Sequence, residues 1–246
     1  MCLFLSHGDK GGVGKSFGVR GFADYGVRHG LPLTVVDADN RASDLYHLTR
    51  ENSAITEVLR LNLRDEQGWM DLSDVIERTG RVGNIAVSLP AAVGDQEDQY
   101  GKFLYQVLES LGVPYRVVWV MNDKADSVAL LKRFIENSGI PVQNIQPVLN
   151  TFFAQDFPVW DGSNTRRMFT EAGIRDVRLP KMEFEDKLTG GNLRGLWSDY
   201  LGGKFGPVNL YMRVRLQDWL KQMDEFFDSM NLPLIRNGQS SVATAA

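Results

Sequence analysis

The sequence predicts an α/β fold in which a mostly parallel β-sheet carries helices on both faces. The first observation is that strand-like and helix-like segments alternate along most of the 246 residues, as they do in chains of βαβ units. The second is that a glycine-rich turn, 8–14, follows the first strand-like segment and opens the first helix-like one. The third is that the strand-like segments are short apolar runs, which suits strands buried on both faces of a parallel sheet.

Six segments have the composition of strands. Residues 2–6 open the chain with apolar side chains, and the runs 33–37 and 84–88 are short and rich in apolar or β-branched residues. The segment 115–121, YRVVWVM, gives the strongest signal because β-branched and aromatic residues fill it. Segments 145–150 and 175–179 complete the predicted sheet.

Five segments are predicted to be helices, at 15–29, 71–78, 96–111, 127–137 and 210–230. Gly30 follows the first of them as a stop signal. The last is a long amphipathic helix whose apolar residues Leu216, Leu220, Met223 and Phe227 recur at helical spacing. It suits packing on the domain or on a partner subunit better than a membrane surface, because acidic and basic residues are mixed along it.

Composition narrows the class of protein. Hydrophobic residues make up 43% and charged residues 24% of the chain, as in ordinary globular proteins. A formal net charge of −4 argues against a basic coat for nucleic acid, although a local basic patch stays open. We predict one domain over 1–236 and a frayed polar tail over 237–246.

The compartment is predicted to be the cytoplasm. Cys2 is the one cysteine, so no disulfide can form within a chain, as is usual in a reducing compartment. The residues before the first strand do not resemble a signal peptide, so none is expected. No apolar run approaches the roughly 18 residues that span a bilayer, so stable membrane insertion is not expected.

The glycine-rich turn has the sequence and the setting of a phosphate-binding loop. Glycines let backbone N–H groups turn toward an anion at the positive end of a helix. Lys15 would reach the β- and γ-phosphates, and the Ser16 hydroxyl would bind Mg²⁺. The residues predicted to hold the nucleotide here are Gly11, Gly12, Val13, Gly14, Lys15 and Ser16.

The loop departs from the ordinary motif at its start. Asp9 stands where that motif has its first glycine, and Lys10 adds a second lysine. This segment resembles the deviant Walker A motif of the ParA/MinD family of P-loop ATPases, which implies ATP and Mg²⁺ as cofactors. In that family the early lysine crosses an ATP-dependent homodimer to the partner's phosphates. The resemblance assigns that catalytic role to Lys10, as a positive charge supplied in trans.

Two acids follow the second predicted strand. Asp37 and Asp39 lie at its carboxyl end, where open α/β sheets bind ligands. Carboxylates there can hold Mg²⁺-bound waters or orient an attacking water, although they could also simply end a strand. The resemblance aligns Asp39 with the water-positioning residue of the family and puts Asp37 near the metal.

The third family element differs. The family strand ends in Asp-x-Pro, whereas this one ends in Ser88-Leu89-Pro90. A serine can bond to a metal-bound water but brings no negative charge to hold Mg²⁺. We therefore expect ATP binding and, because Ser88 replaces the Walker B aspartate, slow hydrolysis.

The base of the nucleotide is predicted to be adenine. Asn150 ends a later strand, and its amide offers the donor and acceptor that suit the adenine edge. It could equally cap a strand or a turn. No Asn-Lys-x-Asp motif for guanine follows a strand, which favours ATP over GTP.

The predicted function is a nucleotide-dependent dimer switch with an unidentified protein partner. Looser similarity to TraL-type proteins, in 148–153, 165–168 and 212–223, suggests DNA partition, conjugal transfer or positioning of another cargo. A basic stretch could contact DNA phosphates or be a solvated surface; its members are Arg166, Arg167, Arg175, Arg178 and Lys181. The alternatives are an adaptor with little hydrolysis and a phosphotransfer enzyme or ligase similar to dethiobiotin synthetase.

Overall fold

The fold was obtained as a computed structural model that describes residues 2–8, 10–39, 44–79 and 82–236. The predicted first loop position, Asp9, and the predicted tail, 237–246, lie outside these described residues. Within them, no helix is both long and apolar enough to cross a bilayer.

Seven strands form one sheet, and each neighbouring pair is parallel. The predicted α/β architecture with a parallel sheet is therefore confirmed. The order across the sheet is β3-β2-β4-β1-β5-β6-β7. The strands are β1 Leu3–His7, β2 Leu33–Asp37, β3 Glu57–Arg60, β4 Asn84–Ser88, β5 Tyr115–Met121, β6 Ile145–Asn150 and β7 Val177–Leu179.

Helices connect the strands. The helical segment after β4 starts as α4, passes through one π-helical turn, Glu97–Gly101, and continues as α5. The helices are α1 Lys15–Arg28, α2 Asp44–Thr49, α3 Glu66–Thr79, α4 Gly94–Gln96, α5 Lys102–Ser110, α6 Ala125–Ser138, α7 Pro158–Asp161, α8 Asn164–Glu171, α9 Glu185–Thr189, α10 Trp197–Leu201 and α11 Leu210–Ser229.

Each face of the sheet carries its own hydrophobic core. Along β1, Leu3 and Leu5 point into one core and Phe4 into the other, because successive side chains on a strand alternate between faces. The first core is closed by α3, α5, α6, α7 and α8. The second is closed by α1, α2, α10 and α11. The strands are thus covered on both sides, which explains their uninterrupted apolar runs.

The long C-terminal helix α11 packs on α1 of its own chain. Phe227 contacts Phe22 with ring centroids 5.4 Å apart. The Arg28 guanidinium forms two 2.7 Å hydrogen bonds to the Asp224 carboxylate. A Cβ added at Gly21 would come within 2.4 Å of the Met223 methyl group, so glycine permits the close approach of the two helices. The amphipathic pattern of α11 therefore serves the fold.

Several elements differ from the prediction. The strands at 33–37, 84–88, 115–121 and 145–150 match, and the other predicted elements shift at their ends. The prediction lacked β3, whose side chains are half-buried or exposed at the sheet edge and so give no apolar run. The helix predicted at 71–78 begins at Glu66, where the Asp65 carboxylate accepts a hydrogen bond from the Gly68 N–H. The short helices α2, α7, α8, α9 and α10 were also not predicted.

Candidate nucleotide site

Residues singled out from the sequence lie at one edge of the sheet. Asp37, Ser88 and Asn150 end β2, β4 and β6, and parallel strands bring their carboxyl ends to the same edge. His7, which was not predicted as a site residue, ends β1 there. β1 lies at the centre, between β4 and β5. This is the position at which ligands bind in open α/β sheets, because loops from neighbouring strands diverge there.

The loop between β1 and α1 has the backbone of an anion cradle. Gly12 and Gly14 have φ angles of +74° and +109°, in the region that disfavours side chains. Gly14 forms the N-cap of α1, and its carbonyl accepts a 2.9 Å hydrogen bond from the Gly18 N–H. The N-terminal N–H groups of α1 therefore face the loop, where the helix dipole favours an anion.

Lys15 lies inside this loop and is 7% exposed. Its Nζ donates a 2.7 Å hydrogen bond to the Lys10 carbonyl oxygen, which spans the loop from end to end. The Ser6 hydroxyl donates a 3.1 Å hydrogen bond to the Lys15 carbonyl oxygen. Backbone and side chain of Lys15 are thus fixed with the positive charge in the centre of the cradle.

Lys10 lies at the rim of the loop. Its Nζ is 2.5 Å from a carboxylate oxygen of Asp126 in the first turn of α6, and this hydrogen bond lowers the pKa of Asp126. The side chains are 35% and 55% exposed, so solvent reaches the ion pair. An exposed ion pair contributes little to stability, which leaves Lys10 able to change partners.

Ser16 and Ser88 meet across the loop. Their hydroxyl oxygens are 3.1 Å apart, and Ser88 is 1% exposed. The Ser88 carbonyl also accepts a 3.1 Å hydrogen bond from the Ala38 N–H, which ties the ends of β4 and β2 together. The strand that carries an aspartate in the resembled family thus brings a neutral hydroxyl to the residue predicted to bind Mg²⁺.

Asp37 is a buried carboxylate held by backbone N–H groups. Its two oxygens accept hydrogen bonds from the Asp39 N–H at 3.2 Å and the Tyr46 N–H at 3.0 Å. Desolvation raises the pKa of Asp37, and those two hydrogen bonds oppose the rise. Asp39 follows at the end of the strand and is half-buried. Asp37 thus orders the segment that presents Asp39.

Asn150 contacts the phosphate loop directly. Its Nδ2 donates a 2.7 Å hydrogen bond to the Val13 carbonyl, and its Oδ1 accepts a 3.0 Å hydrogen bond from the Phe152 N–H. A Cβ added at Gly14 would lie 2.5 Å from the same Nδ2. Asn150 therefore braces the loop from the side, a role that the sequence did not predict.

A cavity of about 190 Å³ opens beside this brace. The phosphate loop forms one wall with Gly12 and Gly14, and the segment after β7 forms another with Pro180 and Met182. The exposed rings of Phe152 and Phe153 lie at its edge. The sequence prediction reached this pocket through Gly12, Gly14 and Asn150. The aromatic pair directly after a strand end was the signal that could have extended it.

The predicted basic stretch is divided in the structure. Arg166 forms ion pairs with Asp161 at 3.6 Å and with Asp176 at 3.2 Å. Arg178 and Lys181 instead line a cleft of about 450 Å³. Arg215 of α11 joins them there, with its guanidinium 4.4 Å from the centre of the Phe184 ring. Only part of the stretch therefore shares a surface, and it gains Arg215, which the prediction lacked.

No protein-family model matches the chain. The chain is similar to the protein MobD of Acidithiobacillus ferrooxidans, with 28% identity over 183 residues that cover 73% of this chain and 78% of MobD. The structure of the septum site-determining protein MinD from Pyrococcus horikoshii OT3, complexed with Mg-ADP, aligns with a TM-score of 0.51 at 12% identity. That alignment covers 94% of this chain and 99% of MinD.

The MinD cell division protein of Aquifex aeolicus aligns with a TM-score of 0.50 at 14% identity, over 91% of this chain and 97% of that one. At such identities the alignments show the fold. They agree with the parallel sheet and its flanking helices. The chain therefore has the fold of the ParA/MinD-like P-loop proteins.

Proposed function

We propose that this chain is an ATP-binding protein of the P-loop ATPase type, and that its bound nucleotide switches it between monomer and homodimer. The observation that carries the proposal is the pair of lysines on one glycine loop. Lys15 lies buried inside the cradle, whereas Lys10 lies at its rim and forms an exposed ion pair with Asp126. One lysine thus suits the chain's own nucleotide and the other suits the nucleotide of a partner.

The residues around the loop fit a nucleotide with Mg²⁺. Lys15 would neutralise charge on the β- and γ-phosphates, and backbone N–H groups at the start of α1 would bind their oxygens. Ser16 would ligate Mg²⁺, with Asp37 and Ser88 near the metal-bound waters. The base would enter the cavity beside Asn150. The Mg-ADP of the Pyrococcus MinD structure supports this choice of ligand.

The catalytic proposal assigns roles to the two remaining residues. Asp39, half-buried at the end of β2, would orient the water that attacks the γ-phosphate. Lys10 of one subunit would stabilise charge that develops on the phosphates held by the other subunit. Bound Mg²⁺ would add further compensation for that charge.

A second candidate function is an adaptor that binds ATP and hydrolyses it very slowly. The contact between the Ser16 and Ser88 hydroxyls favours it, because no carboxylate stands at the end of β4 to hold the metal. Nucleotide binding would then set the assembly state, and release would depend on exchange of the nucleotide. The two functions share the site and differ in turnover.

The cellular process in which the switch would act is a separate proposal. Similarity to TraL-type proteins favours conjugal transfer or partition of DNA. The cleft that Arg178, Lys181 and Arg215 share with Glu183 and Asp218 is the surface that would meet DNA phosphates or an acidic partner.

The decisive experiment is the mass in solution, measured by light scattering with Mg²⁺ plus ATP, ADP or no nucleotide. We expect a dimer only with ATP for the wild type. Lys10→Ala should stay monomeric, whereas Lys124→Ala, a matched exposed lysine near the same loop, should dimerise normally. A constant mass despite bound ATP would overturn the switch. Release of inorganic phosphate in the same samples separates the ATPase from the adaptor.

A further inference from the structure

A buried chain of hydrogen bonds lies behind the phosphate loop. His7, the last residue of β1, accepts a 2.7 Å hydrogen bond at Nδ1 from the N–H of Gly8. Its Nε2 contacts the Glu97 carboxylate, whose other oxygen accepts a 2.7 Å hydrogen bond from the Tyr105 hydroxyl. His7, Glu97 and Tyr105 are 0%, 4% and 5% exposed. None of these groups belongs to the proposed nucleotide contacts.

The hydrogen bonds determine which nitrogen of the His7 ring donates and which accepts. Because Nδ1 accepts from Gly8, Nε2 is the nitrogen that donates a hydrogen bond to Glu97. The ring lies 4.3 Å from Trp119 and 5.0 Å from Phe134, centroid to centroid. A cavity of about 20 Å³ with Asp98 and Arg133 in its lining also borders His7 and Glu97. Loss of a protein partner in these buried surroundings costs a hydrogen bond.

Two glycines lie against the hydrogen-bonded groups, one next to His7 and one next to Glu97. Gly8 has φ of +146°, and a Cβ there would lie 2.4 Å from the Val120 carbonyl oxygen. Gly101 ends the π-helical turn that carries Glu97, and a Cβ there would lie 2.8 Å from the Glu97 Cγ. A π-helical turn is uncommon and often lies at functional sites. Side chains larger than hydrogen are excluded at the two points that aim His7 and Glu97.

These hydrogen bonds join two segments that lie far apart in sequence. His7 directly precedes the phosphate loop, whereas Glu97 lies beyond the segment 89–93 that follows β4. In that segment Ala92 takes φ of +52°, a conformation uncommon for a residue with a side chain. A change in the loop would therefore reach the helical segment of α4 and α5 through His7 and Glu97.

We propose that His7 is a positioning residue that holds the entry to the phosphate loop and couples it, through Glu97, to the helices after β4. This inference rests on the proposed nucleotide site. Its two hydrogen bonds have separable effects. The bond to Gly8 sets affinity for nucleotide, and the bond to Glu97 carries the nucleotide state to α4 and α5.

Three substitutions at His7 separate the two bonds. His7→Phe keeps the ring packing and removes both bonds. In His7→Asn the amide can replace Nδ1 toward Gly8 but does not reach Glu97. His7→Gln can reach Glu97 but places no acceptor at the Nδ1 position. Tyr105→Phe is the control, because it removes a buried hydroxyl from the same chain and leaves both bonds of His7 in place.

The first readout is MgATP affinity measured by calorimetry. We expect about tenfold weaker binding for His7→Phe and His7→Gln, as for loss of a buried hydrogen bond, and near wild-type binding for His7→Asn and Tyr105→Phe. The second readout is hydrogen exchange over 94–105. MgATP should slow exchange there in the wild type and in Tyr105→Phe, but not in His7→Asn.

Exchange of the loop amides without nucleotide separates this inference from the proposed function. His7→Phe should exchange faster over 8–16 than the wild type, whether or not the protein binds ATP. Cooperative thermal unfolding of each variant checks that it is folded. Unchanged loop exchange in folded His7→Phe would overturn the positioning role. Wild-type protein that fails to bind ATP, with faster loop exchange in His7→Phe, would overturn the proposed function and leave His7 as the residue that orders the loop.

Discussion

Ser88 is the side chain on which the strength of the proposed metal site depends. Its hydroxyl is 3.1 Å from that of Ser16 and is shielded from solvent. Both hydroxyls are neutral, so neither adds a negative charge for the metal. Hard cations prefer oxygen ligands, and affinity rises with the number of charged ones. With a hydroxyl in this place, the phosphates of the nucleotide would supply most of the negative charge around Mg²⁺.

Ser88→Asp tests this argument. The added carboxylate should let Mg²⁺ bind the nucleotide complex about tenfold more tightly, as one favourable charge in a partly buried site can supply. The measurement is a Mg²⁺ titration of the complex with a fluorescent ATP analogue. Ser88→Asn, which has the size of aspartate without its charge, serves as the control and should not tighten Mg²⁺ binding. An unchanged midpoint in folded Ser88→Asp would place the metal away from the end of β4.

Asn150 offers a test between two roles, the predicted adenine contact and the observed brace on Val13. Asn150→Ala removes the 2.7 Å hydrogen bond to the Val13 carbonyl. If the brace matters, the variant should bind tripolyphosphate and ATP more weakly by the same factor, about tenfold for one buried hydrogen bond. Competition binding with both ligands measures the two factors. A loss confined to ATP would assign Asn150 to the base instead.

At the residue scale, motif spacing identified the groups that are close in sequence or end neighbouring strands. Ser16 was predicted to bind Mg²⁺, and Ser88 was identified in the place of the Walker B aspartate. The structure brings the two serines into contact. The bond between His7 and Glu97 joins residues 90 positions apart, and neither residue belongs to a pattern with a known ligand. Asn150 was predicted to contact adenine, whereas in the structure its amide bonds to the Val13 carbonyl. Long-range contacts of single polar side chains leave no periodic signal in a sequence.

At the scale of elements, the pairing of α1 with α11 determines how the C-terminal part of the chain is held. The side chains buried on α11 pack around Phe22 and Gly21 of α1, and an ion pair between Arg28 and Asp224 lies at the edge of the contact. Glycine inside a helix lowers its stability relative to alanine by roughly 0.5–1 kcal/mol. At Gly21, the methyl group of Met223 occupies the space that a Cβ would need.

A double-mutant cycle measures this contact. Met223→Ala should lower the free energy of unfolding by about 2–5 kcal/mol, because it leaves a cavity against Gly21. Gly21→Ala should be nearly neutral alone, since the flexible methionine end can move, and stabilising by about 1 kcal/mol in the Met223→Ala background. Denaturant unfolding gives all four values. The same cycle with Met212, elsewhere on α11, should be additive, and additivity at Met223 would contradict the contact.

The sequence predicted best the elements that have strong periodic signals. Buried central strands such as β5 were recovered from end to end because both faces are apolar. The edge strand β3 was missed because its residues are half exposed and mixed in character. Helices of four to eight residues, such as α7 and α8, are too short to repeat a pattern. Tertiary contacts rather than local preference hold these pieces.

At the scale of the whole molecule, sheet order explains why Lys10 meets Asp126. The two residues are 116 positions apart, yet β1 and β5 are neighbours, so the loop after β1 faces the first turn of α6 after β5. The hydrogen bond from Lys10 lowers the pKa of Asp126 below its usual 3.8. The pair is therefore intact at neutral pH and is lost only as the pH falls through that lowered value. In a monomer, the lysine proposed to act in trans has a partner in its own chain.

Asp126→Asn should therefore release Lys10 and favour the ATP-dependent dimer. We expect half-maximal dimerisation at a protein concentration about threefold lower than for the wild type, since exposed ion pairs are weak. Light scattering over a dilution series with MgATP measures it. Added salt should narrow the difference between variant and wild type, because salt screens the pair that only the wild type retains. Asp123→Asn, which breaks the neighbouring 2.9 Å pair with Lys124, is the control and should behave as the wild type. If Asp126→Asn dimerises no more readily than Asp123→Asn, the ion pair with Asp126 does not restrain Lys10.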